Sequence, residues 1–117
     1  MAGSVYVDAN FKSAEGNTVV LGRVLVGNAD VLRADEFGLS VIQSIIFQPY
    51  GDTPVGSITV AKLIHMQGSL GSVDNKGSSN YVSVRSWALK NYHGDNGTLV
   101  LGTEAGSIRA SYIAVGY

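Results

Sequence analysis

Residues 107–117 read Ser-Ile-Arg-Ala-Ser-Tyr-Ile-Ala-Val-Gly-Tyr, and residues 81–89 read Tyr-Val-Ser-Val-Arg-Ser-Trp-Ala-Leu. Both stretches are apolar and rich in β-branched and aromatic side chains, which favours β-strands. The second stretch runs to Tyr117 without a polar tail. We therefore expect it to be covered by a neighbouring strand or by a partner.

The rest of the chain repeats this pattern, with short apolar runs separated by glycine and asparagine. Further strands are predicted over residues 5–11, 18–26, 41–48, 57–67 and 98–102, and the 81–89 strand is expected to continue to Tyr92. One helical turn at most is predicted in residues 31–39, capped by Asp30 and ended by Gly38. Residues 68–80 are predicted to form an exposed loop, because they contain few large apolar side chains.

This spacing of strands predicts one all-β domain that spans residues 1–117. The expected architecture is a compact β-sandwich or barrel of about eight short antiparallel strands, with a jelly-roll-like or other Greek-key topology. No internal repeat or linker divides the chain, and a chain of 117 residues is too short for two independent cores.

The composition is unusually poor in charge for a soluble domain. Charged residues make up 15% of the chain, hydrophobic residues make up 45%, and the mean hydropathy is +0.18. Soluble domains average about 25% charged residues. A folded monomer of this mass exposes about 6000 Å² of surface, so wide areas of it are expected to be uncharged. Contact between subunits is the simplest way to cover such areas.

Charge and residue usage also exclude several classes of function. The net charge of -1 and the absence of a basic cluster argue against nucleic-acid binding. The absence of cysteine excludes disulfides, thiolate zinc sites and cysteine nucleophiles. Residues 1–8 lack the features of a secretion signal, and no apolar run approaches the length of a membrane span. We therefore expect a protein made in the cytoplasm that contacts neither nucleic acid nor membrane.

No arrangement of reactive residues points to catalysis. Neither His65 nor His93 accompanies a Gly-x-Ser-x-Gly nucleophile motif. The residues Asp95-Asn96-Gly97 beside His93 fit a tight β-turn better than a metal site. Residues 74–80 lack the acidic spacing of an EF-hand loop, and Lys76-Gly77-Ser78 reverses the order found in a phosphate-binding loop. We therefore predict no catalytic residue, no metal and no cofactor.

The aromatic residues are candidates for interfaces, for the core or for ligand stacking. They include Tyr50, Tyr81, Trp87, Tyr92, Tyr112 and Tyr117. Arg85 is expected to share a strand face with Tyr81 and Trp87, and Arg109 with Ile113, Val115 and Tyr117. The two strands are expected to be neighbours, so that their faces together combine aromatic, aliphatic and guanidinium groups, the composition that binding hot spots favour. Contacts within an oligomer are accordingly assigned to Trp87, Tyr112, Ile113 and Tyr117.

Three blocks of the sequence resemble a known family. They are Gly-Arg-Val-Leu-Val at 22–26, Leu-Arg-Ala-Asp-Glu-Phe-Gly-Leu-Ser-Val-Ile-Gln-Ser-Ile at 32–45, and Tyr-Ile-Ala-Val-Gly-Tyr at 112–117. Together they are similar to small β-rich virion proteins from the structural modules of tailed bacteriophages. Such proteins often carry an "L-x-A-x-x-F/L-G-L-S-x-I" segment and a "Y-I-A-V/I-G" ending. Some trimeric members carry a long disordered N-terminal arm, and no such arm is expected from residues 1–8 of this sequence.

The resemblance implies a capsid decoration, or cement, protein that clamps major capsid subunits from outside the shell, commonly as a trimer. Contacts with the major capsid protein would then involve the first strand and the 68–80 loop, at Val5, Tyr6, Phe11, Leu70 and Val73. Two alternatives remain open. One is a tail, fibre or glycan-binding module that stacks sugars on Trp87 or a tyrosine. The other is an enzyme with a pocket where two carboxylates or His65 meet.

Overall fold

The computed structural model describes residues 4–49, 63–74, 77–91, 99–103 and 107–117, which form a sandwich of two antiparallel sheets. The strands are β1 (Ser4–Lys12), β2 (Thr18–Val26), β3 (Val31–Arg33), β4 (Ile42–Pro49), β5 (Leu63–Leu70), β6 (Tyr81–Asn91), β7 (Leu99–Thr103) and β8 (Ile108–Gly116). A single 3-10 turn covers Ala34–Phe37. The predicted all-β sandwich of about eight strands is confirmed. Within the described ranges, no helix is long and apolar enough to cross a membrane.

The first sheet has the strand order β1-β2-β8-β4. Strand β8 pairs with β2 from Ile108 to Gly116 and with β4 on its other side. Strand β8 is therefore an interior strand, which is the first of the two arrangements expected for its apolar sequence. Strand β1 is an edge strand, and its main neighbours are β2 and the 3-10 turn.

The second sheet is built on β6. Strand β5 lines one edge of β6, while β3 and β7 follow one another along the opposite edge. The turn after β2 fills the gap between β3 and β7. In that gap the Ala29 N–H donates to the Val84 carbonyl (2.7 Å), and the Ser86 N–H donates to the Asn28 side chain (3.1 Å). This edge of β6 is therefore hydrogen-bonded along both strands and through the turn between them.

The core lies between the two sheets and follows from strand alternation. Inward side chains of β2, β8, β3 and β6 are almost completely buried; they include Val20, Val24, Val26, Ile108, Ala110, Tyr112, Ala114, Leu32, Val82 and Val84. Phe37 from the 3-10 turn packs against Tyr112, with ring centroids 4.9 Å apart in an edge-to-face arrangement. The turn is thus fixed by an aromatic contact in the centre of the core.

The helical prediction for residues 31–39 is corrected in part. The single turn and its end at Gly38, which has a φ of 77°, are as expected. Residues 31–33 are instead a strand, and Glu36 accepts the Arg33 N–H at 2.7 Å. Asp30 accepts the Gly27 N–H (2.9 Å) and does not cap the turn.

The predicted loop over residues 68–80 is also corrected. Strand β5 continues through Gly68 and Ser69 to Leu70, since a glycine at position 68 lets it approach the Phe47 ring of β4. Ser79 is buried and exchanges two backbone hydrogen bonds with Ile42 (2.6 and 2.9 Å). The predicted strand start at 57–62 and the turn at 93–97 lie outside the described residues.

Candidate functional surfaces

The outer face of the first sheet is apolar, and we call its six residues the apolar face: Phe11, Val19, Leu21, Ile46, Ile113 and Val115. Leu21 of β2 lies opposite Ile113 of β8, and Ile113 lies opposite Ile46 of β4. Phe11, Val19 and Val115 form the next row. Ile46 is 68% exposed, Phe11 is 53% exposed and Ile113 is 48% exposed. Val19, Leu21 and Val115 are partly covered by their neighbours, whereas Ile46, Phe11 and Ile113 remain open to solvent.

Polar groups border the apolar face. Leu21, Ile46 and Ile113 line a shallow cavity of about 330 Å³ whose border includes Asp8 and Arg23. A β-bulge between Val7 and Ala9 contains Asp8. The Arg23 guanidinium donates to both Asp8 carboxylate oxygens at 3.1 Å. An apolar centre with a polar rim is the anatomy of a protein interface.

A tyrosine beneath this sheet holds the edge strand. Tyr112 is 2% exposed, and its hydroxyl donates to the Tyr6 carbonyl of β1 at 3.1 Å. The ring crosses Gly22, where an added Cβ would lie 2.7 Å from the Tyr112 hydroxyl oxygen. Burial, and secondarily the Asp8 charge, raises the pKa of Tyr112 to about 12. The phenol therefore remains a neutral hydrogen-bond donor at ordinary pH.

The structure separates the residues assigned to oligomer contacts. The side chains of Ile113 and Tyr117 point outward from the first sheet. Tyr117 is 53% exposed. The Tyr112 side chain is in the core, because successive residues of a strand face opposite sides. Trp87 lies on the outer face of the second sheet, on the other side of the molecule.

The residues assigned to capsid contacts are divided as well. Tyr6 and Phe11 are exposed on the outer side of β1, where they lie opposite Arg23 and Val19 of β2. Val5 and Leu70 are partly buried against the core, and Val73 is 56% exposed. The first strand thus presents two of these aromatic residues on the same side as the apolar face.

The outer face of the second sheet is polar, and it contains a groove that we call the polar groove. It has a volume of about 250 Å³ and is lined by Gln67, Ser69, Leu70, Gly71, Tyr81, Ser83, Arg85 and Trp87. Cross-strand pairs order this surface: His65 with Trp87, Gln67 with Arg85, and Ser69 with Ser83. The His65 and Trp87 rings are stacked, with centroids 5.5 Å apart and an interplanar angle of 28°.

Tyr81 forms the other end of the groove. Gly71 lies directly against the Tyr81 ring, and a Cβ at position 71 would approach ring atoms to 1.9 Å. The Ser72 N–H donates to the Tyr81 hydroxyl at 3.4 Å. The groove therefore runs between an aromatic stack and a tyrosine ring.

The expectation that the aromatic faces of β6 and β8 form one surface is wrong. Tyr81, Arg85 and Trp87 do share a face, as predicted, and so do Ile113 and Tyr117. However, β6 and β8 belong to different sheets, and their outer faces point away from each other. Gln67, Ser69 and Ser83 were not singled out from the sequence, although their alternation with buried residues places them on the face of Arg85.

The other candidate sites show turn chemistry. Asp74 accepts the Ser78 N–H at 3.0 Å, which closes the turn that was considered for calcium. In the ranges given above, no three His, Cys, Asp or Glu side chains cluster as metal ligands. His65 is exposed and stacked on Trp87. His93, Asp95 and Asn96 lie outside the described residues.

Comparison of the chain with protein-family models, with curated proteins and with solved structures found no match. Function must therefore be inferred from the two outer faces of the sandwich.

Proposed function

We propose that this protein is a bacteriophage capsid decoration protein. In this proposal it binds the outside of the shell as a homotrimer and clamps neighbouring major capsid subunits. The observation that supports an assembly role is the apolar face, which the described chain leaves uncovered on the outer side of the first sheet.

The free energy available from covering this face is large enough for assembly. Complete burial of a large aliphatic side chain contributes about 1.5–3 kcal/mol. Ile46 and Ile113 retain 68% and 48% of their exposure, so a partner surface gains a substantial part of that energy at each. Phe11 adds an aromatic side chain, the type that dominates interface energetics. A contiguous apolar patch of this kind marks an interaction site.

The position of β1 suggests how the surface is divided. Ile113 and Tyr117, at the inner strand of the sheet, would contact sister subunits. Tyr6 and Phe11, on the edge strand, together with Val73, would contact the shell. Each contact can be modest, because several linked contacts add through avidity. The rotational symmetry of a trimer would present the same shell-binding strand three times.

The alternative is a tail, fibre or glycan-binding module of a virion. The observation that favours it is the polar groove, with its Trp87–His65 stack and the neighbouring Arg85. The groove and the apolar face lie on opposite sides of the molecule, so the two functions are compatible and can be tested separately.

Charge substitutions on the apolar face test the assembly proposal. Wild-type protein is expected to elute as a trimer in size exclusion with light scattering, and an Ile46→Lys, Ile113→Lys variant, whose two like charges lie opposite each other and cannot pair, as a folded monomer. Each substitution places an unpaired charge in an apolar contact, which weakens association by about 100-fold or more. Val31→Lys is the matched control, because Val31 is 42% exposed on β3 of the other sheet.

Shell binding is then measured by co-sedimentation. The wild type and Val31→Lys should sediment with shells of the major capsid protein from the same genome, and the double variant should remain in the supernatant. The proposal would be refuted if the wild-type protein were a monomer and did not bind these shells. Equal loss of assembly in Val31→Lys would show that the apolar face is not the contact.

A further inference from the structure

We propose that the polar groove of the second sheet binds an acidic saccharide, with a sugar ring on Trp87 and a carboxylate or sulfate on Arg85. This inference does not depend on the decoration function, because the groove shares no residue with the apolar face.

The groove offers a row of unused hydrogen-bonding groups. Within the described part of the chain, the side chains of Gln67, Ser69, Ser83 and Arg85 make no hydrogen bond or ion pair. The strand register places them as two adjacent cross-strand pairs, Gln67 with Arg85 and Ser69 with Ser83. A ligand rich in hydroxyls can pair with amide, hydroxyl and guanidinium groups in such a row.

Trp87 supplies an apolar platform beside these polar groups. Its indole is partly exposed, and stacking against His65 orients the ring. A pyranose ring has an apolar face of C–H groups and an edge of hydroxyls. Such a ring can cover the indole while its hydroxyls reach Gln67 and Arg85.

Arg85 selects for negative charge. It is the only charged side chain among the described residues that line the groove, and no Asp or Glu accompanies it. Arg23 on the other sheet differs, because Asp8 holds its guanidinium. A free guanidinium presents a planar pair of donors that matches a carboxylate or sulfate. The groove is therefore complementary to an anionic sugar.

The shape of the groove fits a short chain of sugars. Trp87 and Tyr81 lie six residues apart on β6, which corresponds to about 20 Å at about 3.3 Å per residue. Between the two rings lie the Gln67–Arg85 and Ser69–Ser83 cross-strand pairs, and the second pair has small side chains. Single-stranded nucleic acid also stacks and carries charge, but one arginine and a net charge of -1 do not supply the basic surface it requires.

The single tryptophan makes the proposal directly measurable. The fluorescence of Trp87 is recorded while oligogalacturonate, a sulfated chondroitin oligosaccharide, methyl-esterified oligogalacturonate or oligothymidylate is added to the wild-type protein. We expect a saturable change with at least one acidic saccharide. The neutral ester and oligothymidylate should bind at least ten times more weakly.

Two substitutions identify the residues responsible. Arg85→Gln is expected to weaken binding of the acidic saccharide by about 10- to 100-fold, as for loss of a charge-assisted hydrogen bond. Arg109→Gln removes an exposed arginine from the other sheet and should leave binding unchanged. Trp87→Leu removes the only tryptophan, so saccharide binding to this variant is measured by calorimetry. The substitution should abolish binding while the protein remains folded.

Several results would overturn the inference. They are an absence of binding to both acidic saccharides, equal binding of the neutral ester, or tighter binding of oligothymidylate. Equal weakening by Arg109→Gln would also overturn it, since that result would indicate diffuse electrostatic attraction. The oligomer assay on the same Arg85→Gln protein should still report a trimer if the decoration proposal holds, so the two proposals fail independently.

Discussion

In each of the two sheets a tyrosine ring packs against a glycine, but the two contacts have different consequences. In the first sheet Tyr112 crosses Gly22 on the inner side, and its hydroxyl binds the backbone of β1. In the second sheet Tyr81 lies against Gly71 on the outer side, where its ring ends the polar groove. The comparison shows that the side of the sheet, and not the residue pair, decides whether the contact stabilises the fold or shapes a site.

The largest expected effect separates these two contacts. A Cβ at position 22 would lie 1.9 Å from the Tyr6 carbonyl oxygen, so Gly22→Ala must displace the β1 backbone. We expect a loss of about 3 kcal/mol in the free energy of unfolding, at the upper end for overpacking. Chemical denaturation followed by circular dichroism measures the loss.

Gly71→Ala is the matched control for that substitution. Its Cβ would meet the outer atoms of the Tyr81 ring, which can swing toward solvent. The stability should fall by less than about 1 kcal/mol, while saccharide binding in the groove weakens. Equal destabilisation by the two substitutions would contradict the contrast between the contacts.

A high-pH measurement gives the next largest effect. The pKa of Tyr112 is raised from 10.0 to about 12 in the folded protein, so the folded state holds this proton more tightly than the unfolded state. The stability that this contributes is complete below pH 10 and is lost as the pH rises through about 12. Over that window the wild type should lose about 2 kcal/mol more than Tyr112→Phe.

Denaturant titrations of both proteins below pH 10 and near pH 12 provide the comparison. Below pH 10, Tyr112→Phe should be less stable by about 1 kcal/mol, since the Tyr6 carbonyl loses its donor. If the two proteins lose stability in parallel toward pH 12, the burial of the phenol is not the cause of the decline.

The smallest effect concerns the rim of the apolar face. Asp8→Asn breaks the bidentate ion pair with Arg23. The Asp8 side chain is 47% exposed and the Arg23 side chain is 60% exposed. Water screens such a pair, so the expected cost is about 0.5 kcal/mol at low salt and less at high salt. Thermal unfolding at two salt concentrations measures it, with Asp35→Asn on the 3-10 turn as the control. A cost that persists at high salt would assign Asp8 a packing role.

Local sequence patterns predicted the strands well where alternation was regular. Residues 18–26 were predicted as a strand, and β2 has these bounds. Strand alternation then places Val19, Leu21, Arg23 and Leu25 on one face. The end of the 3-10 turn at Gly38 was predicted because only a few residues tolerate its positive φ. These features depend on neighbours in the sequence, which is why the sequence alone was sufficient.

Features that depend on distant residues were not predictable in this way. The extension of β5 through Gly68 and Ser69 depends on pairing with β6 and on the nearby Phe47 ring, which composition does not reveal. The placement of β6 and β8 in different sheets depends on the global strand order. Tyr112 could have been assigned to the core from the sequence, since Ile113 and Tyr112 cannot share a face.

The position of β8 between β2 and β4 has a kinetic consequence. Its two neighbours belong to the first half of the chain and do not pair with each other, so the first sheet closes only when β8 inserts between them. Contacts between such distant segments must overcome a large loop-closure entropy, which slows folding. Refolding of this protein should therefore be limited by the docking of β8, and chains synthesised only as far as β7 would require protection from aggregation until β8 is available.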